Sequence, residues 1–264
     1  MPDGVFNPYQ TVRVLGQSAI PFILPGASST TIVISGNAGV ATMSGLTALP
    51  SYTASQPLFV YVPAAAFATG VPATAGFFYG TFASTTSITV YNNPYVPPGT
   101  PQVPATTTTF SSITAVSLAP TVNTEVITYQ LKIPAGQLMG PNDGLYFRSL
   151  FANNNSAGTK TNTIRFGTAG TTSDAAVIQG TMTTNETQPQ FGYGFNQGVN
   201  TNQIFAQGLG SGGYNAQQQF PIFTNINMAT TATFLTFTLK TASAQTTDWD
   251  SLPSAFIEYL QNVT

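Results

Sequence analysis

From Glu125 to Gly167 the residues alternate with a period of two, and that pattern admits strands and little else. Val126, Thr128, Gln130 and Lys132 interleave with Ile127, Tyr129, Leu131 and Ile133, giving two unlike faces. Pro134-Ala135-Gly136 stops the ladder, because proline has no amide hydrogen and fixes φ. Gly140-Pro141-Asn142-Asp143-Gly144 is a second break built from turn-tolerant residues. Leu145, Phe147, Ser149 and Phe151 then alternate with Tyr146, Arg148 and Leu150. An Asn-rich loop, Asn153 to Gly158, precedes a third strand from Lys160 to Gly167.

Further strand patterns follow at Ala175–Thr183, Gln190–Phe195, Asn202–Gln207, Gln217–Phe223, Thr231–Lys240 and Ser254–Val263. So many short strands fit a jelly roll or a similar sandwich. Upstream, no residue from Val14 to Thr124 is charged. Ser, Thr, Gly and Pro interrupt that stretch throughout, so it holds no apolar run near the roughly 18 residues of a membrane span. It predicts short strands at Ile20–Leu24, Thr30–Ser35, Val40–Ser44, Leu58–Val62, Gly76–Ala83 and Ser87–Asn92, with hairpins over 31–43 and 77–91. Val60–Phe67 is the one short helix the pattern allows. Tyr95–Pro104 is proline-dense and reads as a stiff connector or an ordered loop.

The expected division is an extended arm over 1–10, an N-terminal β domain over 11–94, a Pro/Thr-rich connector over 95–124 and a C-terminal domain over 125–264. The expected fold class is all-β, a jelly-roll-like C-terminal sandwich with a smaller N-terminal β region.

Composition limits the chemistry. Charged residues make up 5% of the chain, and its formal net charge is −2. Six basic residues without a cluster argue against nucleic-acid binding by phosphate neutralisation. With little charge to keep copies apart, self-association is expected. Neither cysteine nor histidine occurs, so thiolate metal sites, disulfides and a Ser-His-Asp triad are ruled out. No cofactor or metal is expected. The opening MPDGVFNPYQ lacks the pattern of a secretory signal, which points to a protein made and retained in a cytoplasm or assembled there into a particle.

Candidate sites are few. Asp248-Trp249-Asp250 could serve a glycosidase as paired carboxylates around a sugar-stacking ring, or be a turn with Trp249 covering a core edge. Phe191, Tyr193 and Phe195 alternate with Gly192 and Gly194, so one face of that strand is aromatic and the other bare. That aromatic face is expected to pack inward, the alternative being a platform for glycans. Arg148 and Arg165 either pair with a nearby acid, lie at a subunit seam or face solvent. Gly208 to Gly213 lacks the Lys-Ser/Thr of a phosphate loop and reads as an inter-strand loop.

The succession IPAG, the GPN-G turn, the Arg-Ser-Leu strand, the Asn-rich loop and KTNTIRFG resembles a module found across tailed-bacteriophage virion proteins. Gly76 to Tyr79 and Ser84 to Tyr95 are similar to the segment that precedes it there. The resemblance implies a jelly-roll-like module of tail fibres, spikes and capsid-decorating proteins, usually trimeric. It implies a non-enzymatic virion subunit, with the major capsid protein or tail components as partners. A capsid decoration (cement) protein is preferred on size. A tail fibre or receptor-binding subunit contacting a host glycan is the alternative, and a hydrolytic spike comes third.

Overall fold

The computed structural model describes residues 10–25, 32–36, 41–44, 46, 49–63, 75–108, 113–118, 123–137, 143–153, 155–184, 187–196, 201–209, 222–224, 226–241 and 249–262. Every regular element among them is a strand. In chain order these are β1 (Gln10–Ser18), β2 (Phe22–Pro25), β3 (Ile32–Gly36), β4 (Ala41–Ser44), β5 (Pro57–Val62), β6 (Gly76–Ser84), β7 (Ser87–Pro94) and β8 (Ile113–Leu118). They continue as β9 (Val126–Ile133), β10 (Gly144–Asn153), β11 (Asn155–Gly167), β12 (Ala175–Thr184), β13 (Thr187–Asn196), β14 (Asn202–Leu209), β15 (Ile222–Thr224), β16 (Thr233–Thr241) and β17 (Trp249–Asn262).

The pairing is nested. β1 pairs with β17, β9 with β16, β10 with β13 and β11 with β12, all antiparallel. This is one long antiparallel hairpin, with its first strand against its last. Pairing of β17 with β10 and of β16 with β11 then rolls it into two sheets. One sheet contains β1-β17-β10-β13, and the other is β12-β11-β16-β9. That is a jelly roll.

β1 lies in the stretch assigned to the N-terminal region, yet it pairs with the C-terminal strand. The reason is register: Thr11 to Ser18 align with Gln261 to Ala255 and satisfy the edge of β17. Everything from β2 to β8 is therefore an insertion between the first and second strands of the roll. It extends the first sheet in the order β2-β5-β6-β7-β4-β3-β8. The hairpins β3–β4 and β6–β7 form as the pattern predicts. Val60 to Val62 of the suggested helix lie in β5, and Ala64 to Phe67 fall outside the described residues.

β17 is the seam. Trp249 to Leu252 pair with β2, Ala255 to Asn262 pair with β1, and the opposite edge pairs with β10. Leu252 and Pro253 together face the single residue Phe151, a bulge where proline's missing donor is tolerated. β1 and β2 thus lie end to end along one strand.

The uncharged upstream stretch now has a physical account. Phe22, Ile23 and Leu24 are all buried, as are Leu58, Phe59 and Val60, because the inserted sheet is covered on both faces. Phe22, Phe59, Phe77 and Tyr79 join the core of the sandwich. Ile23, Leu58, Val60, Phe78 and Trp249 form a second core on the other face. Phe22 packs its ring against Phe59 at 5.1 Å, Phe77 at 5.2 Å and Tyr95 at 5.1 Å. Tyr95 opens the proline-dense segment, which is an ordered loop: Asn92 N donates to Thr108 O at 2.9 Å, and Thr108 N donates to Asn93 Oδ1 at 2.8 Å. β8 then falls inside the stretch expected as a connector.

Candidate functional site: the outer aromatic face of the first sheet

β13 alternates as a strand should, but in the opposite sense to the expectation. Gln188, Gln190, Gly192, Gly194 and Asn196 face inward, whereas Tyr193 and Phe195 are 40% and 38% exposed. The glycines explain the inversion. A Cβ on Gly194 would lie 2.5 Å from Cε1 of Phe205, whose ring comes from β14 and fills the space beneath β13. Phe205 in turn packs on Phe166, with ring centroids 4.8 Å apart. The core is thus filled from the side, and the strand's own aromatics are left on the outer face.

Register gathers more residues around them. Arg148 on β10 stands opposite Phe191 on β13 and Phe256 on β17. Two pairs along, on the same face, Tyr146 stands opposite Tyr193 and Glu258. Gly144 stands opposite Phe195, and a Cβ there would meet Gly194 O at 2.8 Å and Phe195 Cδ1 at 2.8 Å. Tyr146 and Tyr193 have centroids 4.8 Å apart, and Tyr193 and Phe195 stack at 6.0 Å with their planes 5° apart. The Arg148 guanidinium carbon lies 4.7 Å from the centroid of the Phe256 ring. Beside this row lies a concavity of about 500 Å³, lined in part by Gln17, Ser18, Tyr146, Arg148, Phe191 and Phe256.

Of the sequence candidates, Phe191, Tyr193, Phe195 and Arg148 therefore meet on one surface. Tyr146 and Phe256 belong with them. Tyr146 shares its strand phase with Arg148, which is a local signal for the first, but nothing local identifies the second, since only the β17–β10 register places it.

Arg165 is elsewhere, on the second sheet, and is engaged. Its Nε donates to Glu125 Oε1 at 2.7 Å, its Nη2 to Glu125 Oε2 at 2.6 Å and its Nη1 to Asp174 O at 2.7 Å. Thr238 Oγ1 also donates to Glu125 Oε1. Burial alone would push the Glu125 carboxyl up. The hydrogen bonds from Arg165 and Thr238, with the charges of Arg165 and Lys240, outweigh it and hold the carboxyl below its ordinary range. Of the alternatives open for Arg165, pairing with a nearby acid is the one the geometry realises.

Trp249 is 6% exposed and packs in the second core, so its ring is not presented to a sugar. Asp250 is fully buried and accepts a hydrogen bond from Ser251 N at 3.0 Å. Asp248 lies outside the described residues, as do Gly210 to Gly213 of the glycine-rich loop. Other carboxylates hold the fold. Asp143 Oδ2 accepts from the buried Tyr259 hydroxyl at 3.1 Å, and burial, with Asp143 beside it, pushes that phenol up. Asp174 accepts from Ala169 N at 3.1 Å and Gly170 N at 2.7 Å, closing a turn. Among the described residues no group of three or more acidic side chains is placed to hold a metal ion. No helix among them is long and apolar enough to cross a membrane.

No family model matches the chain, and no curated protein matches it. Among solved structures, it aligns with a chain from the Gx strain of infectious bursal disease virus at 10% identity and a TM-score of 0.20, covering 97% of this chain and 62% of that one. A T=1 particle derived from the same virus aligns at 11% identity and a TM-score of 0.17, covering 97% and 74%. The chain thus spans less than two thirds of the first of these. Scores at that level carry no argument about fold or function.

Proposed function

We propose that the protein is a non-enzymatic structural subunit of a tailed-bacteriophage virion, a decoration protein that stabilises the head. The observation that carries this reading is the nested strand pairing closed by β1 on β17. It makes a rigid jelly roll, an architecture that recurs in viral capsids. The sequence resemblance of Glu125 to Gly167 supports the same class. The low charge suits a subunit whose surface is largely covered by neighbours, with copies of itself in a trimer and the major capsid protein as partners. Its place is the virion, assembled in the host cytoplasm.

A second reading, a tail fibre or receptor-binding subunit, is favoured by one feature, the exposed aromatic row with Arg148. One experiment separates them. The purified protein is titrated onto expanded, undecorated heads, and their resistance to heat is measured. A decoration protein binds heads in hundreds of copies and raises the temperature at which they open. Binding to host cells without binding to heads would transfer the protein to the tail.

A further inference from the structure

We propose that the concavity on the outer face of the first sheet binds a carboxylate-bearing oligosaccharide, with Arg148 as the anion-holding group and Tyr146 and Phe191 as stacking surfaces. This goes beyond the structural role and does not depend on it.

Charge complementarity comes first. Arg148 is exposed and is the one cation lining the concavity, and no carboxylate lines it. The nearest acid in register, Glu258, lies two pairs along on the same face, opposite Tyr146. Arg165, by contrast, is paired with Glu125. Arg148 is nonetheless held in place, because its guanidinium rests against the Phe256 ring. A guanidinium seated against a ring keeps N–H donors along its edge, and their fork matches the two oxygens of a carboxylate.

The remaining lining suits a sugar. Flat rings accept the C–H face of a pyranose, while the exposed Gln17 and Ser254 place an amide and a hydroxyl among them for sugar hydroxyls. About 500 Å³ lies within the range of small-molecule sites, roughly 300–1,000 Å³. Among the described acids, Glu125, Asp143, Asp174 and Asp250 are already bonded within the fold, which leaves Glu258 as the one a second copy could offer Arg148.

The test uses the full chain on an array of uronate- and sialate-bearing glycans, each printed beside its methyl ester. The strongest binder and its ester are then titrated calorimetrically. We expect carboxylated glycans to bind, and the ester to bind about tenfold or more weakly, the scale of a charged hydrogen-bonded pair. Arg148→Gln should lose the same factor, and Phe191→Ala should weaken acid and ester alike. Three outcomes overturn the proposal: no carboxylated glycan binds, acid and ester bind equally, or Arg148→Gln binds like the wild type. The acid–ester comparison needs no variant, so a misfolded Arg148→Gln cannot mask the answer. If glycans fail and Arg148→Gln instead dissociates an oligomer in sedimentation, the face is a contact between copies. Head binding is scored separately and is unaffected by any of these results.

Discussion

Arg165 grips Glu125 at two points, at 2.7 Å and 2.6 Å, across strand β16, which lies between the strands that bring the two residues together. The pair ties the start of β9 to β11, 40 residues on, and Thr238 of the intervening strand joins it. Both side chains are mostly buried, at 18% and 17% exposure, so solvent screens the pair only in part. Glu125→Gln should therefore destabilise the fold by about 1–3 kcal/mol at neutral pH. The effect has a pH signature. A carboxyl whose value is lowered on folding contributes stability above its unfolded value of about 4.5 and loses it as pH falls through the folded value. Urea midpoints of wild type and Glu125→Gln should converge in that acid range. A gap that stays constant down to the lowest pH at which both still fold would contradict the assignment.

A fragment beginning at Glu125 lacks β1 and the aromatic rings that Phe22, Phe59 and Phe77 contribute to the shared core. It should not reach the native near-ultraviolet dichroism or melt cooperatively, whereas the full chain should unfold in a single transition. Cooperative melting of the isolated fragment would show that β1 is dispensable.

Two glycine substitutions should differ in cost for a geometric reason. At Gly144 an added methyl meets a backbone carbonyl, Gly194 O, at 2.8 Å, as well as the Phe195 ring. At Gly180 it meets Gln188 Oε1 at 1.9 Å and Gln190 Nε2 at 2.5 Å, side-chain ends joined by a hydrogen bond, so side chains rather than backbone must give. Gly144→Ala is expected to cost about 1–3 kcal/mol, and Gly180→Ala less. Thermal midpoints of the two variants check the order, and the reverse ranking would mean that the Gln188 site is the more rigid.

Trp249, the only tryptophan, reports on the second core. Its emission should be blue-shifted and resistant to iodide in the native protein, and saturating oligosaccharide should leave it unchanged. Phe22→Ala, which removes a fully buried ring with three aromatic neighbours, should cost about 3–5 kcal/mol and redden that emission at a lower denaturant concentration. Strong quenching by a bound sugar would put Trp249 back at a binding surface.

Local pattern determined the strands. Alternation and turn residues located β9, β10, β12, β13 and the hairpins β3–β4 and β6–β7 within a few residues, because strand periodicity and chain reversal are short-range properties. β11, by contrast, begins at Asn155, inside the stretch expected as an Asn-rich loop. The same alternation showed that Phe191, Tyr193 and Phe195 share a face. It could not say which face, because period two has two equivalent phases, and the choice depended on Phe205 filling the space under Gly194 from another strand. Nor could it pair β1 with β17 or Arg165 with Glu125, contacts made between segments far apart in the chain. Which residues alternate was written locally; which side met the core, and which arginine stayed exposed, was decided only when distant strands aligned.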